Sequence, residues 1–166
     1  MNQIKTSTIV ELKKFIDDKT FKKIFIIAGN QSYNLSGLKK FFLTIKNKNI
    51  KFFFKVRPYP EYSELMQITK NIELFSPDLI IAAGGGSVMD YAKIANVINP
   101  NSSLVENIKN SSCKLKKENR KLLAIPTTAG SGAEVTSNAV IYINGIKYSI
   151  EGELIKPDYF FLIPDF

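Results

Sequence analysis

The 166-residue sequence predicts an α/β fold: a parallel sheet with helices on both faces, followed by a β-hairpin. Three observations predict it. Short continuous apolar runs alternate with segments of helical periodicity, and unbroken apolar strands belong to sheets covered on both faces. Two of these runs enter glycine-rich turns directly. Further on, Asn144-Gly145 joins two apolar segments, and Asn-Gly supplies the positive φ angles of a type I′ turn.

Ile9 to Ile16 has apolar residues at helical spacing, with Lys13-Lys14 and Asp17-Asp18 outward. Lys23 to Ala28 is short, apolar and β-branched, ends at Gly29, and reads as a buried strand. Leu38 to Ile45 reads as a helix starting near Gly37. Lys51 to Val56, rich in phenylalanine, is a second strand. It ends at Arg57-Pro58-Tyr59-Pro60, where two prolines impose an extended turn. Tyr62 to Phe75 is a helix with Pro77 as its stop. Asp78 to Ala83 is a third buried strand, and Val88 to Ile98 a helix that halts at Asn99-Pro100. Asn101 to Glu118 is polar, a short helix plus loop. Lys121 to Ile125 is a fourth strand ended by Pro126. Val135 to Ile143 and Ile146 to Ile150 form the hairpin, and Tyr159 to Ile163 a last strand.

The length fits one domain, which buries roughly 70% of its unfolded surface without a staple. Hydrophobic residues make up 45% and charged residues 23%, a globular mix. The most decisive count is that of histidine, which is zero. General-base histidines, Ser-His-Asp triads and His-containing zinc sites are excluded within the chain. The single cysteine, Cys113, forms no internal disulfide and suits a reducing compartment. No secretory signal is read, and the first apolar run, Ile24 to Ala28, is too short to span a membrane, so a cytoplasmic protein is expected. The formal charge is +8. Its lysines are scattered without interleaved aromatics, which argues against nucleic acid and reads first as the solvated faces of a Lys/Asn/Ile-rich composition; a positive domain would still favour a dinucleotide or an anionic substrate.

Two loops carry the chemistry. In the first, the strand Ile80–Ala83 enters Gly84-Gly85-Gly86-Ser87 and a helix leaves it. Glycines let backbone approach a pyrophosphate, and the free N–H groups of a helix start face the anion. Ser87 is placed to cap that helix and to donate to phosphate. Neither a Walker loop nor a Gly-x-Gly-x-x-Gly fingerprint is present. In the second, Pro126-Thr127-Thr128-Ala129-Gly130-Ser131-Gly132-Ala133-Glu134 follows a strand and offers small donors at close range. Either loop alone also reads as an ordinary turn. Together they occupy the strand ends where ligands of open α/β sheets bind.

Gly84-Gly85-Gly86-Ser87-Val88-Met89-Asp90-Tyr91-Ala92-Lys93 resembles the GGGSxxDxAK segment of iron-containing alcohol dehydrogenases. Pro126 to Thr136 resembles their PTTAGTGSEVT segment. The resemblance covers essentially the whole chain and implies a Rossmann-like, dinucleotide-binding domain over residues 1–166. It further implies that Gly84, Gly85, Gly86 and Ser87 hold the pyrophosphate of NAD(P). Asp90 and Lys93 would anchor the loop and the nicotinamide side, against the plainer reading of an i, i+3 salt bridge. Thr127, Thr128 and Ser131 would contact ribose and adenine-side groups. Lys147, in the hairpin, matches a family lysine near the cofactor, and is otherwise a solvated lysine.

Relatives that prefer NAD carry an aspartate at the end of the first strand, where this sequence has Gly29. With Ser32, Lys39 and Lys40 nearby in sequence, NADPH is slightly favoured. Ala28 to Gly37 and Ala139 to Ser149 resemble the phosphonoacetaldehyde reductase branch. Departures are Tyr59, where the family often has Pro-Asn-Pro, Ala133 in place of a serine, and a short segment before Ile9 that weakens an edge strand used in dimerisation. Family members bind iron or zinc with an aspartate and three histidines of a following helical domain, and act on a small aldehyde or alcohol. That metal-binding domain is absent from the sequence. The expectation is therefore a cofactor-binding half that is inactive alone, truncated or one half of a split enzyme with a helical-domain partner, or else a dinucleotide-binding module without catalysis; a homodimer is an alternative assembly.

Overall fold

The computed structural model describes residues 8–18 and 21–166. The segment before Ile9, with the expected edge strand, lies outside them except for Thr8. A five-stranded parallel sheet has the order β2-β1-β3-β4-β7. Its members are β1 (Lys23–Gly29), β2 (Asn49–Lys55), β3 (Leu79–Gly84), β4 (Lys121–Pro126) and β7 (Tyr159–Phe160). The helices are α1 (Ile9–Asp18), α2 (Asn30–Leu35), α3 (Leu38–Leu43), α4 (Tyr62–Phe75), α5 (Gly86–Val97) and α6 (Leu104–Lys109). A separate antiparallel hairpin pairs β5 (Asn138–Ile143) with β6 (Ile146–Glu151).

Side chains of successive strand residues alternate between two cores. Ile24, Ile26, Ala28, Leu79, Ile81 and Ala83 pack with α1 and α3. Phe25, Ile27, Ile80 and Ala82 pack with α4, α5, α6 and the hairpin. Both faces of the central strands β1, β3 and β4 are thus buried, which is why their interiors carry no polar alternation, whereas edge strand β2 keeps Lys51 and Lys55.

The expected order of elements stands, with local differences. Helix α2 was not expected: its sequence, Asn30 to Leu35, is polar with no buried residue, so it carries no periodic signal. Helix α5 begins two residues earlier than expected. Gly85 is its N-cap, with no side-chain cap, so Ser87 lies inside the first turn instead of capping it. The last strand spans two residues instead of five. The hairpin strand begins at Asn138, after a loop. At the turn, Asn144 and Gly145 have φ of 52° and 79°, both positive as a type I′ turn requires. Ser76, at φ 48°, ends α4 one residue before Pro77.

Candidate functional site

Strand β1 passes through α2 and α3 to β2 on one side, whereas β3 passes through α5 and α6 to β4 on the other. The connections diverge between β1 and β3, and such a switch point leaves a crevice at the carboxyl edge of the sheet. Gly29 ends β1 and Gly84 ends β3, so both stand at this crevice. Its floor is Ser32 and Val88. A Cβ added to Gly29 would lie 3.0 Å from Ser32 Oγ, and one on Gly84 2.7 Å from Val88 Cγ2 and 3.4 Å from Ser32 Oγ. The Ser32 hydroxyl is held by donating to the Gly29 carbonyl at 3.1 Å.

The two loops meet here. Thr127 N–H donates to the Gly84 carbonyl at 3.1 Å. A Cβ on Gly85 would sit 3.1 Å from Thr128 Oγ1, and one on Gly86 3.2 Å from Ser131 Oγ. Side chains at these glycines would fill the space between the loops. Glycine there keeps backbone N–H groups of the α5 start beside three hydroxyl residues. Thr127 Oγ1 is buried without a hydrogen-bond partner. A glycine cradle, an unpaired hydroxyl and the amino end of a 12-residue helix together fit a phosphate-bearing nucleotide.

Lys93, on α5, is fully buried. Its ammonium donates to the Ala133 carbonyl at 3.0 Å, Thr136 Oγ1 at 2.9 Å and the Asn138 carbonyl at 2.5 Å. It ties the end of the second loop to the start of the hairpin. The alternative of a plain Asp90–Lys93 salt bridge does not describe it. Burial lowers its pKa to about 8, opposed by Asp90 and Glu134. Asp90 is half-buried. Burial raises its carboxyl to about 6, moderated by Lys93, by the Val140 N–H and by Lys147. Lys147 is exposed on β6 opposite Tyr142, within the field of Asp90. Asp90, Lys93 and Lys147 thus form one polar group where α5 meets the hairpin.

A buried network beside this group was not foreseen. Glu64, 5% exposed, accepts from Val56 N–H at 2.6 Å, Arg57 N–H at 3.2 Å and the Tyr91 hydroxyl at 2.6 Å. Tyr91 oxygen also accepts from Glu61 N–H at 2.7 Å. Burial and its donation to Glu64 hold the Tyr91 phenol far above its usual range. This network fixes the Arg57–Pro60 turn, and the Tyr59 ring rests 4.7 Å from that of Tyr142. A signal was present: Glu64, Ile68 and Ile72 share one stripe of α4 at i, i+4 spacing.

Among the described residues no three His, Cys, Asp or Glu side chains lie together as a metal site. The sequence also holds no histidine, so the described side chains do not fit the histidine-containing iron or zinc centre that the family resemblance implies. No helix among the described residues is long and apolar enough to cross a membrane. Cys113 is half-buried, and burial raises its thiol pKa, so it is poorly activated.

A doubly wound sheet with glycine and hydroxyl loops meeting at its switch point defines a Rossmann-like α/β protein. The model of the iron-containing alcohol dehydrogenase family matches residues 3–164, and the chain belongs to that family. It is 31% identical over 165 residues to aldehyde-alcohol dehydrogenase 2 of Entamoeba histolytica, covering 89% of this chain and 19% of that one. It is 35% identical over 111 residues to an alcohol dehydrogenase of Thermococcus barophilus, covering 63% and 29%. The chain therefore spans less than a third of these relatives' lengths. An iron-containing alcohol dehydrogenase of Thermotoga maritima superposes with a TM-score of 0.80 at 25% identity, over 99% of this chain and 47% of that one. A sulfoacetaldehyde reductase of Bifidobacterium kashiwanohense, solved with NAD+, superposes with a TM-score of 0.85 at 20% identity, over 98% and 44%. The latter likeness is one of fold.

Proposed function

We propose that this chain binds a nicotinamide dinucleotide across the β1/β3 crevice and serves as the cofactor-binding half of a metal-dependent alcohol dehydrogenase or aldehyde reductase. The observation that carries this is the approach of the two loops, with Gly85 against Thr128 and Gly86 against Ser131. Gly84, Gly85, Gly86 and Ser87 would hold the pyrophosphate at the start of α5. Thr127, Thr128 and Ser131 would contact ribose and adenine-side groups. Asp90, Lys93 and Lys147 would border the nicotinamide side, with Lys93 acting by fixing the loop. The dinucleotide supplies hydride transfer, and these residues bind and orient it. The metal ligands would come from a helical domain, in the same polypeptide or in a partner, and this stretch alone would not turn over substrate.

Gly29 leaves the first-strand position without a carboxylate, so a 2′-phosphate meets no repulsion there. NADPH is expected to bind at least as tightly as NADH, with Gly29→Asp reversing the order. The substrate class proposed is a small aldehyde or alcohol, with a small aldehyde bearing a tetrahedral anion as the narrower reading. The resemblance of Ala28 to Gly37 and Ala139 to Ser149 to the phosphonoacetaldehyde reductases supports it. Joining the chain to a relative's helical domain and comparing kcat/KM for phosphonoacetaldehyde and acetaldehyde tests the substrate. No advantage for the phosphonate removes it and leaves the family untouched.

Calorimetry with NADH and NADPH tests the cofactor. Gly85→Val is expected to abolish binding. Gly85 has φ −81° and ψ −174°, which valine adopts, and the exposed Thr128 can yield, so the loss of the glycine N-cap and the added bulk should cost about 1–2 kcal/mol and leave the chain folded. Failure of the unmutated chain to bind either dinucleotide at millimolar concentration removes the reading.

A further inference from the structure

We infer that Lys55 selects the phosphorylated dinucleotide by receiving its adenosine 2′-phosphate, an inference that rests on the dinucleotide reading above. The parallel pairing of β1 with β2 puts Lys55 in register with Gly29. Adjacent strands lie about 5 Å apart, so the two residues end neighbouring strands side by side at the carboxyl edge. They also face the same way. Along β1, Phe25 and Ile27 point into the core beneath α4 and α5. Gly29 continues that series, and a Cβ built on it would meet Ser32 Oγ at 3.0 Å and Val88 Cγ2, of the same core, at 4.0 Å. Along β2, Phe53 packs on that core, and Lys55 follows two residues later.

The Lys55 ammonium is positioned but not neutralised. It donates to the Arg57 carbonyl at 2.7 Å and to the Pro58 carbonyl at 3.5 Å. None of the ion pairs of the described residues includes it. Burial pulls its pKa down and the field of Glu64 pulls it up. A partly desolvated cation held by neutral carbonyls gains by exchanging them for a phosphate, through a charge-assisted bond stronger than those it gives up. The Glu64 and Tyr91 network holds the backbone of this turn in place, so the exchange asks for a side-chain movement only. Lys39 and Lys40, the cations suggested by proximity in sequence, lie exposed on α3. Lys55 is the one that the sheet register places beside Gly29.

The test is calorimetric titration of the whole chain with NADPH and NADH, for the unmutated protein and for Lys55→Met, Lys55→Arg and Gly29→Asp. Lys55→Met should weaken NADPH about tenfold and change NADH less than about twofold, and Lys55→Arg should keep NADPH binding. Raising the salt concentration should weaken NADPH more than NADH in the unmutated chain and equally in Lys55→Met. Equal weakening of both cofactors by Lys55→Met would mean that Lys55 only shapes the turn, and would overturn the inference. So would an unchanged NADPH affinity. If Gly29→Asp lowers NADPH binding while Lys55→Met does not, the crevice reading stands and the assignment to Lys55 fails. If the unmutated chain binds neither dinucleotide, both fall together.

Discussion

The two edges of the sheet are built on opposite terms. At the amino edge, polar side chains spend themselves on the protein. The Asp78 carboxylate accepts from Lys22 N–H at 2.8 Å and Lys23 N–H at 2.9 Å, while its carbonyl accepts from Lys121 N–H, so one residue joins the starts of three strands. Asp158, 4% exposed, accepts from Leu122 N–H at 2.9 Å and pairs with Lys117 at 2.9 Å and Lys121 at 3.2 Å. At the carboxyl edge the residues are small. Glycines hold two loops close together, and the Thr127 hydroxyl is left without a partner. One edge satisfies its own backbone, and the other keeps a buried hydroxyl unpaired between two close loops, the place where the proposed dinucleotide would bind. Acidic residues in this chain are therefore structural where they cap strand starts, whatever their resemblance to catalytic carboxylates.

The largest effect that would test this contrast lies at the amino edge. Asp158→Ala strands a buried N–H and two lysines and should cost about 3 kcal/mol in denaturant unfolding. Dinucleotide affinity, extrapolated to the folded fraction, should remain unchanged. A loss of affinity with intact stability would erase the division between edges.

Lys93 is the place where the carboxyl edge borrows the method of the amino edge. Lys93→Met leaves two carbonyls and a threonine hydroxyl without their shared donor, and should cost about 2 kcal/mol. Here affinity should fall as well, because the second loop loses its tie. Lys93→Arg does not fit the enclosed site and should not rescue. Stability loss without any change in binding would make Lys93 a core residue and nothing more.

The smallest effect is the pH response of the same group. Burial raises the folded-state carboxyl of Asp90 from the ordinary 3.8 to about 6. Between these values the folded chain binds more protons than the unfolded chain, so stability should fall as pH rises through that window. Asp90→Asn should flatten this slope in urea unfolding measured from pH 4 to 7. An unchanged slope would show that Asp90 is not its source.

Much of this architecture was legible in the sequence because it is local. Lys23 to Ala28, Asp78 to Ala83 and Lys121 to Ile125 are continuous apolar runs bounded by glycine or proline, and helix Tyr62–Phe75 was placed to the residue. The glycine turn and the Asn-Gly turn carry their conformations in their composition. What escaped was set by distance in sequence or by weak patterning. Helix α2 has no apolar face to announce it. The cap of α5 moved from Ser87 to Gly85 because the glycine turn enters the helix directly. The partners of Lys93 stand 40 to 45 residues away along the chain, and no local rule names them. The pairing of Lys55 with Gly29 is a fact of strand register, which only the folded sheet decides.

Helix α5 bears on how such a chain can change over generations. From Tyr91 to Ile98 every residue is buried, and this stretch holds Lys93 and the phenol that orders the Arg57–Pro60 turn. Few substitutions there leave the packing intact. Gly130 and Gly132, by contrast, have open space where a side chain would emerge, and Thr128 and Ser131 are exposed. Gly130 and Gly132 are restricted only by their positive φ angles. On the proposed dinucleotide reading, the second loop can therefore exchange its exposed hydroxyl residues and so alter what the crevice accepts, while the helix that anchors it stays the same.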